Sequence, residues 1–318
     1  MFNLLQSLAL SQLQNPQCLI THSLLLHSLF VELEKMRTVL SLLAGVVAAF
    51  ECPTWLTPIC SSECIATHCM APLGSCILDA ACRSRLEKMG TCMKSNQTVD
   101  PLYPYDCLVP NNDKVNDFLG CAMEQHPCVN ASSTPAPVYP ACRDGVIAGD
   151  AEFRLENLEG TWYKVHAWKL GEPIECQPCQ NVTFALDGAS NPRQTTFYSH
   201  WMMPDFTGAM YNMSAVATMM PRGDDLPQSK LFNTGRMSGL SFHEPYTVVA
   251  QQTEQAGELE PFIFFYVCGG TLQGNYTTAF VLGRSPTVGT ATQQRLAAEA
   301  KRIGLSWDDF CTVDNRCF

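Results

Sequence analysis

The stretch Phe242-His243-Glu244-Pro245-Tyr246 brings an imidazole, a carboxyl and a phenol within a few residues of one another. A carboxyl tuned by a neighbouring imidazole is a general-acid arrangement, and a nearby phenol can hold or pass a proton. Glu175 offers a second carboxyl and Tyr266 a second phenol. The plainer alternative is a polar strand edge before Pro245, with strand tyrosines that pack and satisfy their hydroxyls. Cys176-Gln177-Pro178-Cys179 has the spacing of a redox pair. That chemistry needs the first thiol at a helix N-terminus, and strand-forming residues follow here, so structural pairing, with Cys268 or Cys311 as candidate partners, is the reading adopted. No other cysteines have C-x2-C spacing, and no metal site is expected. Met202, Met203, Met210, Met213 and Met219 fall in one short stretch whose adaptable thioethers can line a site for a lipophile or simply fill a core.

These residues need elements to hold them. With 46% hydrophobic and 16% charged residues the chain is globular rather than disordered. Its formal net charge of -10 lies wholly after residue 50, because Glu32 and Glu34 balance Lys35 and Arg37, and nucleic acid is excluded as a partner. Met36 starts a signal-peptide pattern: Arg37, an apolar run from Val39 to Val47, then Ala48 and Ala49. Residues 1–50 are therefore read as a leader, with an upstream start codon before Met36. No later run is long enough to span a bilayer, so membrane contact by the mature chain would be peripheral.

Residues 51–142 read as a cysteine-rich domain in which covalent loops replace a large core, with short helices across Ala66–Met89 and loops around Pro101, Pro104 and Pro110. A linker at 132–137 separates it from residues 150–318. There, eight strand runs follow: Thr161–Trp168, Gln180–Leu186, Thr195–Met202, Thr207–Thr218, Lys230–Asn233, Tyr246–Gln251, Phe262–Cys268 and Tyr276–Leu282. Eight antiparallel strands close a barrel that can enclose one small ligand. Leu296, Ala300 and Ile303 then form one helical stripe before Gly304 ends it. The fold expected is mainly β, an eight-stranded antiparallel barrel with a C-terminal helix.

Gly160-Thr161-Trp162 at the first strand matches the lipocalin G-x-W signature, in which the Trp packs across the closed end. The spacing Cys64-x4-Cys69-x6-Cys76-x5-Cys82, then Cys121-x6-Cys128, resembles the cysteine domain of the violaxanthin de-epoxidase family. Ala300-Lys301-Arg302-Ile303-Gly304, Asp314-Asn315-Arg316-Cys317 and Glu175-Cys176-Gln177 resemble its last helix, its closing cysteine and its Asp-Cys-Gln segment. The likeness runs from about Cys60 to Cys317 and implies a Cys176–Cys317 bond. Within the small domain the expected pairs are Cys69–Cys76, Cys64–Cys82 and Cys121–Cys128.

The resemblance further implies a barrel that binds an epoxy-xanthophyll, with ascorbate as co-substrate, no bound cofactor, and an acid that protonates the epoxide oxygen. Against the family pattern, histidine stands at position 243 where a catalytic carboxylate is expected. Val267 and Leu282 stand where its two phenols belong, and the histidines after the Asp-Cys-Gln segment and the glutamate-rich C-terminal extension have no counterpart. These departures are similar to the violaxanthin de-epoxidase-related branch. Two functions therefore stand side by side. One is an ascorbate-dependent de-epoxidase with its acid site around Glu244, His243, Glu175 and Tyr246, and with Trp162, Tyr266, Met202 and Met210 against the ligand. The other is a silent lipocalin carrying a carotenoid or another lipophile. The family points to the thylakoid lumen, whereas the leader and the sequons at Asn96, Asn130, Asn181, Asn212 and Asn275 point to the ER or exterior. The oligomeric state is left open.

Overall fold

A computed structural model describes residues 61–95, 112–128, 140–169, 176–186, 194–204, 209–223, 225–237, 240–255, 257–271 and 274–318. The leader, the proline loops, the linker and Glu175 lie outside the described residues, as do Cys52, Cys60, Cys107 and the side chain of Cys92.

Helices α1 (Ser62–His68), α2 (Met70–Leu78) and α3 (Ala80–Ser95) follow one another with single-residue breaks. The start of the first helix and the second break are chemically marked. Ser61 caps α1 by accepting from Cys64 N at 3.1 Å, and Asp79 accepts from Cys82 N at 2.9 Å at the start of α3. Asn112 caps α4 (Asp113–Leu119) by accepting from Lys114 N and Val115 N, and a π-helical turn continues over Gly120–Gln125. Ile65, Leu73, Val115, Phe118 and Leu119 form only a small apolar centre. Among the described residues three disulfides staple it: Cys64–Cys128, Cys69–Cys121 and Cys76–Cys82. The expected pairs Cys69–Cys76, Cys64–Cys82 and Cys121–Cys128 are thus incorrect. Seven residues along α2 raise the chain by about 10 Å, beyond the ~7 Å reach of a disulfide, so Cys69 cannot meet Cys76. Cys76 instead meets Cys82 across the Asp79 break, while Cys121 and Cys128 both turn back to the α1 region.

Among the described residues nine strands follow: β1 (Gly160–Trp168), β2 (Asn181–Leu186), β3 (Thr195–Pro204), β4 (Met210–Pro221), β5 (Lys230–Met237), β6 (Leu240–Gln252), β7 (Phe262–Thr271), β8 (Gly274–Gly283) and β9 (Phe310–Thr312). β1 to β8 pair antiparallel in sequence order, and β8–β1 with β1–β2 closes the barrel. The eight expected strands are all present. β5 and β6 extend further than expected, to Met237 and from Leu240, because ladder pairing carries the polar stretch Asn233–Pro245 that hydrophobic alternation does not reveal. β9, a short strand beside β1, was not expected.

One end is closed by size. Trp162, Phe184, Leu231, Phe265, Phe280 and Leu282 pack inside it, with Trp162 donating to Leu158 O at 2.7 Å and Arg284 lying 3.7 Å over its indole. On the outer face, α5 (Thr290–Arg302) lays Leu296, Ala300 and the following Ile303 against Phe264, Tyr266, Ala279 and Val281. Gly304, at φ +75°, ends the helix as expected. No helix among the described residues is long and apolar enough to cross a membrane.

Two attachments shape the open end. Cys176–Cys311 and Cys179–Cys317 tie the segment before β2 to the C-terminal tail, while Cys142–Cys268 fastens the chain entering the barrel to β7. The expected Cys176–Cys317 bond is incorrect: β9 brings Cys311 opposite Ala167, and the tail then runs alongside residues 176–180, with Cys179 N donating to Asp314 O at 2.9 Å, so Cys317 meets Cys179. Separately, Glu124 of the π-helical turn accepts from the backbone and hydroxyl of Ser241 and from Arg236 at 3.3 Å, gripping the β5–β6 hairpin.

Candidate active site inside the barrel mouth

Side chains alternate along a strand, so β6 sends His243 and Glu244 to opposite faces. Phe242, Glu244, Tyr246 and Val248 point inward, whereas His243 is exposed on the outer face and stacks on Phe232 at 6.0 Å between ring centroids. The two residues do not form an acid pair. Glu244 alone enters the barrel, and it keeps partial exposure there.

Its neighbours come from two other strands. The β5–β6 register sets Asn233 opposite Glu244, and the Asn233 amide donates to Oε2 at 2.7 Å. Tyr276, on β8, lies two strands away and donates its phenol to Oε1. It reaches that far because Gly269 stands directly opposite it on the intervening strand. A Cβ at Gly269 would lie 1.9 Å from Tyr276 Cζ, so only a glycine lets the ring lie flat across β7. The same device recurs at Gly235, where a Cβ would meet Phe242 Cζ at 2.5 Å. Both rings lie along the wall instead of crossing the interior. Ser199, Ala215 and Ala217 add small side chains above a base filled by large ones, and nearer the open end Trp201, Met203 and Met213 form a second buried apolar cluster with Tyr211 and Met237 packed against it.

Asn233 and Tyr276 are 1% and 5% exposed, so the carboxyl is presented inward and held from behind. Donation to both oxygens is the pattern of an ionised carboxylate; once protonated, Glu244 is itself a donor. Other polar atoms of the inner wall, Trp201 Nε1, Asn233 Oδ1 and Thr278 Oγ1, are buried without a hydrogen-bond partner. Lys164, from β1, also points inward, with Nζ 4.4 Å from the centroid of the Phe280 ring.

The remaining expected site residues scatter. Tyr246 faces inward but packs below Glu244 on Phe265 and Phe280, at 5.4 and 6.0 Å. Trp162 is buried in the base plug. Tyr266 faces outward under α5, its hydroxyl accepting from Arg143 N at 3.1 Å, so it does not line the interior. Met202 shares the outer face with Tyr198 and His200, and Met210 is 43% exposed at the strand end; the inward methionines are Met203, Met213 and Met219. Strand parity decided against Tyr266, Met202 and Met210, whereas Tyr246 and Trp162 face inward but pack in the base. Asn233, Tyr276 and Gly269 were missed, although the Gly269-Gly270 pair inside an aromatic strand was a visible sign of a close approach. Cys176 and Cys179 each bond the tail rather than one another. Among the described residues no cluster of His, Cys, Asp or Glu is placed to hold a metal ion.

His166 and Asp144 lie outside the barrel interior. Burial pushes the His166 imidazole below its usual range, a hydrogen bond with the Cys311 backbone offsetting part of this. Burial pushes the Asp144 carboxyl up, but hydrogen bonds from Thr247 and Arg222 and the charges of Arg222 and Lys230 outweigh it and hold the group below its ordinary value.

Residues 61–315 match a family model described as the VDE lipocalin domain. The chain belongs to the VDE lipocalin family. It is 23% identical over 256 residues to the chloroplastic violaxanthin de-epoxidase of Arabidopsis thaliana, a match covering 80% of this chain and 52% of that protein. This VDE-family chain thus spans about half the length of that relative. Among solved structures it is similar to lobster apocrustacyanin A1 (13% identity, 51% of this chain and 79% of that one, TM-score 0.37) and to insecticyanin of the tobacco hornworm Manduca sexta (14%, 57% and 87%, 0.40). The family's lipocalin architecture agrees with the barrel and helix described above.

Proposed function

We propose that this chain binds an epoxy-xanthophyll in the open half of its barrel and reduces the epoxide with ascorbate, Glu244 supplying the proton. The observation that carries this reading is the inward carboxyl of Glu244, partly exposed to the interior and held by Asn233 and Tyr276. Position 244 is the inward one of its stretch, so histidine at 243 removes no acid from the interior. Likewise Tyr276 supplies a phenol that Val267 and Leu282 do not. Epoxide oxygen leaves only when protonated, and a carboxyl in a largely apolar site suits that task. The overall change is balanced: ascorbate gives two electrons and two protons to become dehydroascorbate, the epoxide becomes an alkene, and its oxygen leaves as water.

The unpaired polar atoms at Trp201, Asn233 and Thr278 suit an oxygenated ligand over a plain hydrocarbon. The proposed setting is a disulfide-permissive compartment, the thylakoid lumen by family, with residues 51–142 serving as a stapled platform for the barrel of residues 150–318. Purified protein is tested with violaxanthin and ascorbate across acid pH. Conversion is expected to rise as pH falls, since only the protonated carboxyl donates, and Glu244→Gln is expected to bind pigment but convert none. Wild-type protein that binds violaxanthin and converts none at any acid pH refutes the enzyme reading and leaves a carrier.

A further inference from the structure

The small helical domain meets the barrel through a carboxylate that bridges both strands of one hairpin. Glu124 accepts from the Ser241 backbone N–H, from the Ser241 hydroxyl at 2.9 Å and from Arg236 Nη2 at 3.3 Å. Arg236 and Ser241 are register partners on β5 and β6. Three steps further along the same ladder, past Gly235↔Phe242 and Thr234↔His243, Asn233 faces Glu244. At ~3.3 Å per residue the grip lies about 10 Å from that pair. This end of the hairpin needs an outside hold. β5 keeps its β4 ladder as far as Arg236, but among the described residues the β6–β7 ladder extends only to His243↔Gly270, so Leu240–Phe242 pair with β5 alone. Gly235, without a side chain, and Pro245, without an N–H, flank the Asn233–Glu244 pair and soften the ladder there.

Glu124 is itself firmly placed. It lies in the π-helical turn, a rare form that recurs at functional sites. Cys121 and Cys128, on either side of it, are bonded to Cys69 and Cys64, and His126 stacks on His68 at 4.4 Å between ring centroids. Its side chain is 18% exposed, so a partly desolvated carboxylate faces charged and neutral donors from two strands. That is a stronger contact than a solvated surface ion pair.

We infer that Glu124 is a positioning residue: the stapled domain holds the outer end of the β5–β6 hairpin and, through the ladder, sets how Asn233 meets Glu244. The hold itself is independent of any chemistry, whereas its effect on turnover rests on the proposed de-epoxidation. It also gives the dense stapling a purpose. A domain with few apolar residues can keep one carboxylate still only if covalent bonds replace the missing core.

Hydrogen exchange and turnover are measured on the full, disulfide-intact chain. Glu124→Gln keeps the shape but sets an amide against the three donors. Amides of residues 233–237 and 240–244 are expected to exchange about tenfold faster, the size of one charge-assisted hydrogen bond, while β1 and β8 keep wild-type rates. Ser241→Ala, which leaves the backbone and Arg236 donors in place, should change them less. With violaxanthin and ascorbate, Glu124→Gln should lower kcat about tenfold at unchanged pigment KM, and in an Asn233→Ala background it should cost nothing further. Unchanged exchange across the hairpin overturns the inference. Equal acceleration in β1 and β8 also overturns it, because the whole barrel has then loosened. An equal kcat loss in the Asn233→Ala background overturns the route through Asn233. If wild type converts no pigment the de-epoxidase reading fails alone, and faster exchange confined to the hairpin in Glu124→Gln still supports the hold.

Discussion

Replacing Gly269 by alanine tests how the site is built, because the position controls a contact made two strands apart. The added methyl would sit 1.9 Å from Cζ, 2.2 Å from Cε2 and 2.4 Å from the hydroxyl of Tyr276, so the ring must leave the wall. Gly269 does not have a positive φ, so the cost is collision and not backbone strain. Departure of the phenol removes a hydrogen bond to a charged group, worth roughly 1.5–3 kcal/mol. Against that, alanine restricts the unfolded chain and returns about 0.4–1 kcal/mol. The net expectation is a loss of about 2 kcal/mol, or about 4–8 °C in Tm for a domain of this size. Urea unfolding with the disulfides intact measures it. A double-mutant cycle with Tyr276→Ala separates collision from other causes: in that background the ring is gone, and Gly269→Ala should be neutral or slightly stabilising. An equal loss in both backgrounds would refute the argument, since the methyl would then be clashing with something other than Tyr276.

Further outcomes follow from the same geometry. Non-reducing peptide mapping should recover Cys142–Cys268, Cys176–Cys311 and Cys179–Cys317, and a Cys176–Cys317 peptide would contradict the course of the tail; removing Cys142–Cys268 by serine substitution should cost about 2–5 kcal/mol. The His166 imidazole titrates lower when folded than when unfolded, so below its ordinary value of 6.5 the unfolded chain binds the extra proton and stability falls with pH. His166→Phe should flatten that slope in urea melts taken between neutral and mildly acid pH, and an unchanged slope would assign it to another group. Asp144→Ala should destabilise by about 2 kcal/mol, because it leaves the Lys230 ammonium, 13% exposed, without its carboxylate partner. The wild-type contribution of Asp144, whose folded value is depressed, is present above the ordinary carboxylate range and is lost as pH falls through that folded value; wild type and Asp144→Ala should therefore converge in stability at strongly acid pH.

The eight strand runs and the Leu296–Ala300–Ile303 stripe were legible because each depends on local alternation or helical period, which neighbouring residues alone set, while the Trp162 plug followed from the resemblance to the G-x-W signature. Glu244 was legible as an acid for the same reason: its type and its place in a short polar stretch stand in the sequence. Its direction did not. In Asn233–Pro245 the polar residues hide the alternation, so nothing local says that Glu244 enters the barrel while His243 leaves it; the ladder with β5 and β7 decides that. Met202 and Met210 were misjudged by the same parity, each on the outer face beside an inward neighbour. Disulfide partners were beyond the sequence because pairing depends on which loops the fold brings within reach, and β9, three residues long, moved Cys311 to Cys176 and left Cys317 for Cys179. Tyr276 and Glu244 are separated by 32 residues and meet only where Gly269 lets a ring cross a strand. Composition and period determined which elements form and which residues can do chemistry. Closure of the barrel decided which of them share its interior, because facing inward depends on pairing with strands remote in sequence.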